Sequence, residues 1–277
     1  MLTRIRRIYK VMNMTVKERF LKYVKYETTS DENSGTCPST AGQKVLLNEL
    51  KNELQAMGIA AKIDDYGYVT AVIPATKSGL KRICFISHVD TSPAVSGRNV
   101  NPQFVNYNGG DIILKNGIKI SLEENPYMSK YIGKELIVTD GETLLGADDK
   151  AGVAEIMSAA EILANDKSIA HGDVLIAFTP DEEIGRGTDM FDVKAFGADF
   201  GYTVDGGELG GIEYENFNAA SATLTVNGVS IHPGSAKNVM KNAIDLFAEF
   251  HSLLPVWERP AHTENYEGFY MADEVMG

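Results

Sequence analysis

Two uninterrupted apolar runs, Ile83-Cys84-Phe85-Ile86 and Val174-Leu175-Ile176-Ala177-Phe178, constrain the fold of this chain more than any other feature. A strand wetted on one face alternates polar and apolar residues, whereas a strand covered on both faces reads as a continuous hydrophobic run. Between the two runs, from about Lys150 to Leu163, apolar residues recur at helical spacing, with Val153, Ile156, Met157 and Ala160 on the inward side. This is βαβ-like wiring. The expected class is therefore α/β: a mixed, largely parallel central sheet flanked by helices.

Other segments extend the pattern. Thr15-Val16-Lys17-Glu18 reads as a capping box opening a short helix with Val16, Phe20 and Val24 on its stripe. Residues 27–40 read as a loop, and a second helix follows with Leu47, Leu50, Leu54 and Met57 inward and Gly58 as its stop. Two short apolar runs around Asp65-Tyr66-Gly67 predict a hairpin between Ile59 and Pro74. After Gly207 the character changes. Ser221 to Val226 alternates, Asn227-Gly228 is a hairpin signal, and Val229 to Ile231 resumes the strand. A helix is expected from about Lys237 to Leu254, burying Met240, Ile244, Phe247 and Phe250 before Pro255 stops it. The 277 residues thus divide into a leader (1–13), a larger α/β part (14–212) and an α+β part (213–277).

Charge and composition exclude several classes. With 38 acidic against 26 basic residues the net charge is -12, which repels nucleic acid, and no basic patch stands out beyond the N-terminus. The leader, MLTRIRRIYKVMN, has basic residues but no apolar core, so it is expected to be a disordered lead-in to Met14 rather than a secretory signal. No run approaches the ~20 apolar residues of a membrane span. Two cysteines in unrelated contexts, Cys37 and Cys84, suit a reducing compartment, so a cytoplasmic location is expected.

Chemistry concentrates in four clusters at strand ends, where open α/β sheets bind ligands. They are Ser87-His88-Val89-Asp90-Thr91, Gly146-Ala147-Asp148-Asp149-Lys150, Asp181-Glu182-Glu183 and Val204-Asp205-Gly206-Gly207. Each has an ordinary reading. His88 and Asp90 suit a polar pair at a strand end, Asp148 and Asp149 suit a helix N-cap, and Asp205 suits a turn. Three consecutive acids beside a buried strand end are harder to account for, since their repulsion is costly without cations. Together the clusters offer a nitrogen and oxygen donor set suited to zinc, with Asp90 available to orient a ligating His88.

At these residues the chain resembles the peptidase T family, within the two-zinc exopeptidase and deacylase superfamily that includes carboxypeptidase G and aminoacylase. The likeness runs from about Met14 to Gly277 and rests on HVDTSP from His88, TLLGADDKAG from Thr143, FTPDEE from Phe178, YTVDGG from Tyr202, ENFNAAS from Glu215 and HPG from His232. The resemblance implies a zinc exopeptidase-like catalytic domain with an inserted lid and dimerisation domain. It implies removal of the first residue from tripeptides, short peptides as partners, and a homodimer at full length. It assigns His88 and Asp205 to one zinc, Glu183 to the other and Asp148 to both. Asp90 would orient His88, Glu182 would be the general base, and His232 would help polarise the carbonyl. His232 also reads as a turn residue before Pro233-Gly234. The family carries a further histidine ligand near its C-terminus that has no match here, so impaired turnover is expected of this chain. Dipeptidases, carboxypeptidases and N-acyl amino acid deacylases share the same scaffold, and a non-catalytic metal-binding module is the alternative outside enzymes.

Overall fold

The computed structural model describes residues 14–273, 275 and 276; the expected leader, residues 1–13, lies outside them. The chain divides between Gly211 and Ile212 into two compact units.

The first unit opens as its sequence dictates. Thr15 caps helix α1 (Val16–Tyr23): its hydroxyl accepts from the Glu18 N–H at 3.2 Å while the Glu18 carboxylate accepts from the Thr15 N–H at 2.7 Å. The buried stripe is rotated from the expected one. Phe20 and Val24 are inside, but Val16 is 42% exposed, and Arg19 and Tyr23 are buried instead. The cause is a pair of carboxylates on neighbouring helices. Arg19 donates to Glu53 and to Glu161, each at 2.7 Å, so the guanidinium enters the interior with its charge satisfied.

Helix α2 (Ala41–Ala56) buries Leu46, Leu47, Leu50 and Leu54 completely, and Gly58, at φ +79°, ends it in a left-handed turn. The expected hairpin follows: β1 (Ala60–Ile63) pairs antiparallel with β2 (Val69–Ile73), and Asp64 ties the turn by accepting from Tyr66 N and Tyr68 N. Strand β3 (Ile83–His88) comes next.

Residues 101–138, where the sequence pattern predicts no elements, form two small two-stranded sheets. Strand β4 (Gln103–Tyr107) pairs antiparallel with β7 (Lys134–Val138), and β5 (Ile112–Ile113) with β6 (Lys119–Ile120). Tyr107, Ile112, Leu114 and Met128 make their common core.

Helix α3 (Ala147–Asn165) then crosses to β8 (Val174–Thr179), every residue of which is buried. The short helix α4 (Val193–Phe196) leads to β9 (Phe200–Thr203). The central sheet runs β1-β2-β8-β3-β9, and β8, β3 and β9 are mutually parallel while β2 opposes β8. The sheet is mixed, with its parallel part where the clusters lie. His88 stands opposite Thr179, and Ile86 opposite Thr203, so the chain leaves all three strands at one edge. Against this sheet α3 presents Val153, Ile156, Met157 and Ala160, each 4% exposed or less, and each large apolar side chain so buried stabilises the fold by about 1.5–3 kcal/mol. The approach is closest at Gly152, where a Cβ would lie 1.8 Å from the Val204 carbonyl oxygen. Only glycine fits there.

The second unit departs from expectation. Residues 221–231 do not form the strand and hairpin predicted at Asn227-Gly228; the only ladder contact among the described residues there is an isolated antiparallel bridge between Val229 and Lys241. Both of its hydrogen bonds are made, at 2.8 and 3.1 Å, so Val229 pairs forward with Lys241 rather than backward onto residues 221–226. That bridge also delays the helix. Helix α5 (Ala243–Leu253) begins at the Asn242 cap, whose side chain accepts from Ile244 N at 2.9 Å, not near Lys237. Met240, Ile244 and Phe250, expected to be buried, are exposed, and Phe247 is only half-buried, because no second layer within this unit covers them.

Candidate metal centre

The parallel strand ends bring the four clusters together. The His88 side chain is 2% exposed and closes β3. Its Nδ1 lies 3.2 Å from Asp90 Oδ1, and its Nε2 faces Asp148 Oδ1 at 2.9 Å, Asp205 Oδ2 at 3.7 Å and Glu182 Oε2 at 3.8 Å. His88, Asp148 and Asp205 offer ligand atoms all within 4.8 Å of one another. A proton on Nδ1 directed at Asp90 would leave the Nε2 lone pair free toward the carboxylates, the arrangement a histidine ligand requires.

Asp90 itself is fully buried and receives two further donors, Glu182 N at 3.0 Å and Glu183 N at 3.1 Å. One carboxylate therefore fixes the imidazole on one side and the acidic turn on the other. Asp148 and Asp149, joined by a cis peptide bond, precede the regular part of α3 and divide their work. Asp148 is 70% exposed at the side chain and points into the cluster. Asp149 is buried and caps the helix, accepting from Gly152 N at 3.2 Å while also accepting from the Ser87 hydroxyl and from His88 N at 3.2 Å.

The electrostatics reflect accumulated negative charge. Burial alone would lower the His88 pKa, but the Asp90 carboxylate beside it, with Asp149 and Asp205 beyond, pushes it up to about 10. Burial pushes Asp149 up to about 8 against the opposing Ser87 hydrogen bond. Glu183 is raised by burial and then by the charge of Asp148; Asp205 is raised by burial, with Asp148 and Glu182 adding to it against His88. These shifts share one cause, several carboxylates gathered around a buried imidazole.

Of the residues singled out in the sequence, His88, Asp90, Asp148, Glu182 and Asp205 meet in this cluster. Glu183 joins through its backbone contact to Asp90 and through its charge, but stands outside the trio of close ligand atoms. His232 lies in the second unit, exposed, heading the Pro233–Ser235 turn with its Nδ1 accepting from Gly234 N at 3.1 Å. Sequence reasoning missed Ser39 and Gln43 and gave no role to Lys150, the last residue of its second cluster. Lys150 is 1% exposed and donates to Tyr26 O at 2.8 Å, with its pKa pushed down to about 8 by burial against the pull of Asp90. Gln43 did carry a signal, a polar residue standing four positions before Leu47 on an otherwise apolar stripe.

The chain is 57% identical over 267 residues to peptidase T from Caldanaerobacter subterraneus subsp. tengcongensis and 55% identical over 267 residues to that from Clostridium acetobutylicum, matching 95% of this chain each time. Over 95% of its length the chain is similar to peptidase T. It spans 65% of the length of these relatives. Residues 214–275 match the peptidase dimerisation domain of the M20 class, which covers most of the second unit. Among solved structures, aminopeptidase PepT from Bacillus cereus aligns with a TM-score of 0.55 at 23% identity, covering 87% of this chain and 56% of that one. A tripeptidase from Staphylococcus aureus aligns with the same score at 21% identity, covering 86% and 55%. These two share the mixed α/β fold.

Within the peptidase T fold, the orientation of His88 has a measurable consequence. If His88 ligates a metal ion, Asp90→Asn, which keeps the shape but not the charge, should weaken divalent-metal affinity about 10- to 100-fold, the usual effect of removing a carboxylate behind a ligating histidine. Calorimetric titration of the metal-free chain checks this. Unchanged affinity would show that Asp90 does not orient a ligand.

Proposed function

We propose that this protein is a zinc-dependent aminopeptidase that removes the N-terminal residue from tripeptides. The observation that carries the reading is the convergence of His88 and Asp205 from two strand ends and Asp148 from the start of α3, with Asp90 behind the imidazole. Their mixed imidazole and carboxylate donors, with ligand atoms all within 4.8 Å of one another, suit zinc. His88 and Asp205 would hold one ion, Glu183 the second, and Asp148 would lie between the two. Bound there, zinc would polarise a scissile carbonyl and bring the pKa of water toward ~7.

The remaining roles fall to this chain's own side chains. Glu182 is half-exposed at the cluster, and its backbone N–H is anchored on Asp90, so its carboxylate can take a proton from attacking water and return it to the departing amine. Asp90 holds His88 with its outer nitrogen turned to the carboxylates. His232 is included as a carbonyl-polarising residue on the strength of the family pattern. The peptidase dimerisation match over residues 214–275 supports a homodimer. Two free cysteines support a cytoplasmic setting, and among the described residues no helix is long and apolar enough to cross a membrane.

The test is a substrate panel of tripeptides, dipeptides and N-acetyl amino acids with zinc supplied. Tripeptides should be cut at the first peptide bond at least about tenfold faster than the others, consistent with specificity from a few well-placed contacts. Preferential release of an acyl group or of the C-terminal residue would overturn the reading.

A further inference from the structure

Asp181, the first of the three consecutive acids, has no place in the metal chemistry, yet it is fully buried. Its backbone is left-handed, at φ 58° and ψ 28°, a conformation that a non-glycine residue keeps only when its surroundings hold it there. The surroundings are explicit. One carboxylate oxygen accepts from Ser39 N at 2.7 Å; the other accepts from the Ser39 hydroxyl and from Gln43 Nε2, the latter at 2.7 Å. In return, the Asp181 N–H donates to Gln43 Oε1 at 3.1 Å, and its carbonyl accepts from Arg186 N at 2.9 Å. Gln43 is fully buried in the first turn of α2 and meets Asp181 with both ends of its amide.

The left-handed residue has a directional effect. It turns the chain leaving β8 so that the next two N–H groups, of Glu182 and Glu183, converge on the two oxygens of Asp90 at 3.0 and 3.1 Å. Successive N–H groups aimed at one anion form a concave nest, and its shape depends on the conformation of the residue that starts it. If Asp181 relaxed to extended backbone, those donors would leave Asp90, and both glutamates would turn with them.

We infer that Asp181, clamped by Ser39 and Gln43, is a positioning residue for Glu182 and Glu183, so that helix α2 braces the proposed reaction site without touching it. This rests on the metal-dependent reading for its consequence, but the brace itself can be measured without metal. The experiment compares the parent chain with Gln43→Ala, Asp181→Gly and, as a control for lost stability, Leu50→Ala on the buried stripe of the same helix. Glycine adopts the left-handed conformation freely, so Asp181→Gly removes the carboxylate without imposing backbone strain.

Two quantities are read: amide hydrogen exchange at Glu182 and Glu183 in the metal-free chain, and zinc affinity by titration. Gln43→Ala and Asp181→Gly should each speed exchange at these two amides at least about tenfold and weaken zinc binding about 10- to 100-fold. Leu50→Ala should lower the melting temperature and change neither. If Asp181→Gly fails to fold, Asp181→Asn, which keeps the size and one acceptor, should give an intermediate effect in both readouts. Parent-like exchange and affinity in Gln43→Ala, or the same changes in Leu50→Ala, would overturn the inference. A parent chain that binds no zinc would defeat the functional reading alone, and the exchange comparison would still decide the brace.

Discussion

On the proposed aminopeptidase reading, with Glu182 as general base, replacing it by glutamine is expected to reduce tripeptide hydrolysis about 10²- to 10⁴-fold. The side chain is half-exposed at the mouth of the cluster, its carboxylate 3.8 Å from His88 Nε2, and its backbone stays anchored on Asp90 whatever the side chain carries. Glutamine preserves that shape and cannot accept a proton. Zinc content should therefore remain at the parent level while the rate collapses, and elemental analysis beside initial rates on one tripeptide separates the two. Rates measured per metal-loaded molecule remove any difference in occupancy. A variant that loses zinc along with activity would make Glu182 a ligand, and a variant with the parent rate would remove it from the mechanism.

Arg19→Ala should destabilise the first unit by about 3–5 kcal/mol, the range seen when one member of a buried ion pair is deleted. The guanidinium is 3% exposed, and its partners Glu161 and Glu53 are 2% and 15% exposed at the side chain. Deleting it removes the guanidinium from the buried Glu161 on α3 and from Glu53 on α2, which keeps Lys22 at 2.8 Å as a second cation. Tyr23, whose hydroxyl donates to Glu53 at 2.8 Å, belongs to the same network. For a unit of this size each kcal/mol moves the melting point by about 2–4 °C, so a fall of roughly 6–20 °C is expected by calorimetry. A shift of only a degree or two would mean the network contributes little beyond a surface ion pair.

Arg19 also shows where the sequence stopped being legible. The capping box at Thr15 and the helix after it could be read, because both depend on residues three or four apart. Which face turns inward could not, because that was decided by Glu53 and Glu161, far along the chain. The same division holds elsewhere. Strands β3 and β8 and helix α3 were legible, since double-sided burial leaves an unbroken apolar run and a helix leaves its period. The small sheets over residues 101–138 were not, although Gln103-Phe104-Val105-Asn106-Tyr107 alternates and Asn116-Gly117 marks a turn; their strands are short and their core holds only a few side chains. In the second unit the Asn227-Gly228 signal lost to the pairing of Val229 with Lys241, a contact that local turn chemistry does not encode.

Within the candidate site, the residues that meet could be named because each follows an apolar strand or opens a helix. The Ser39, Gln43 and Asp181 clamp could not. Hydrogen bonds between a helix start and a distant turn leave at most one polar letter on an apolar stripe.

Gly152 bears on how finely the cluster can be tuned. At Gly152 the start of α3 meets the Val204 carbonyl just beyond β9, with the Asp149 and Ser87 side chains beside the contact, so the segments carrying Asp148 and Asp205 approach at a distance that leaves no room for a Cβ. A spacing fixed this way behaves like a machined gauge. Repacking of the surrounding interior can alter how firmly the two carboxylates are supported, while the width of the opening they share stays the same.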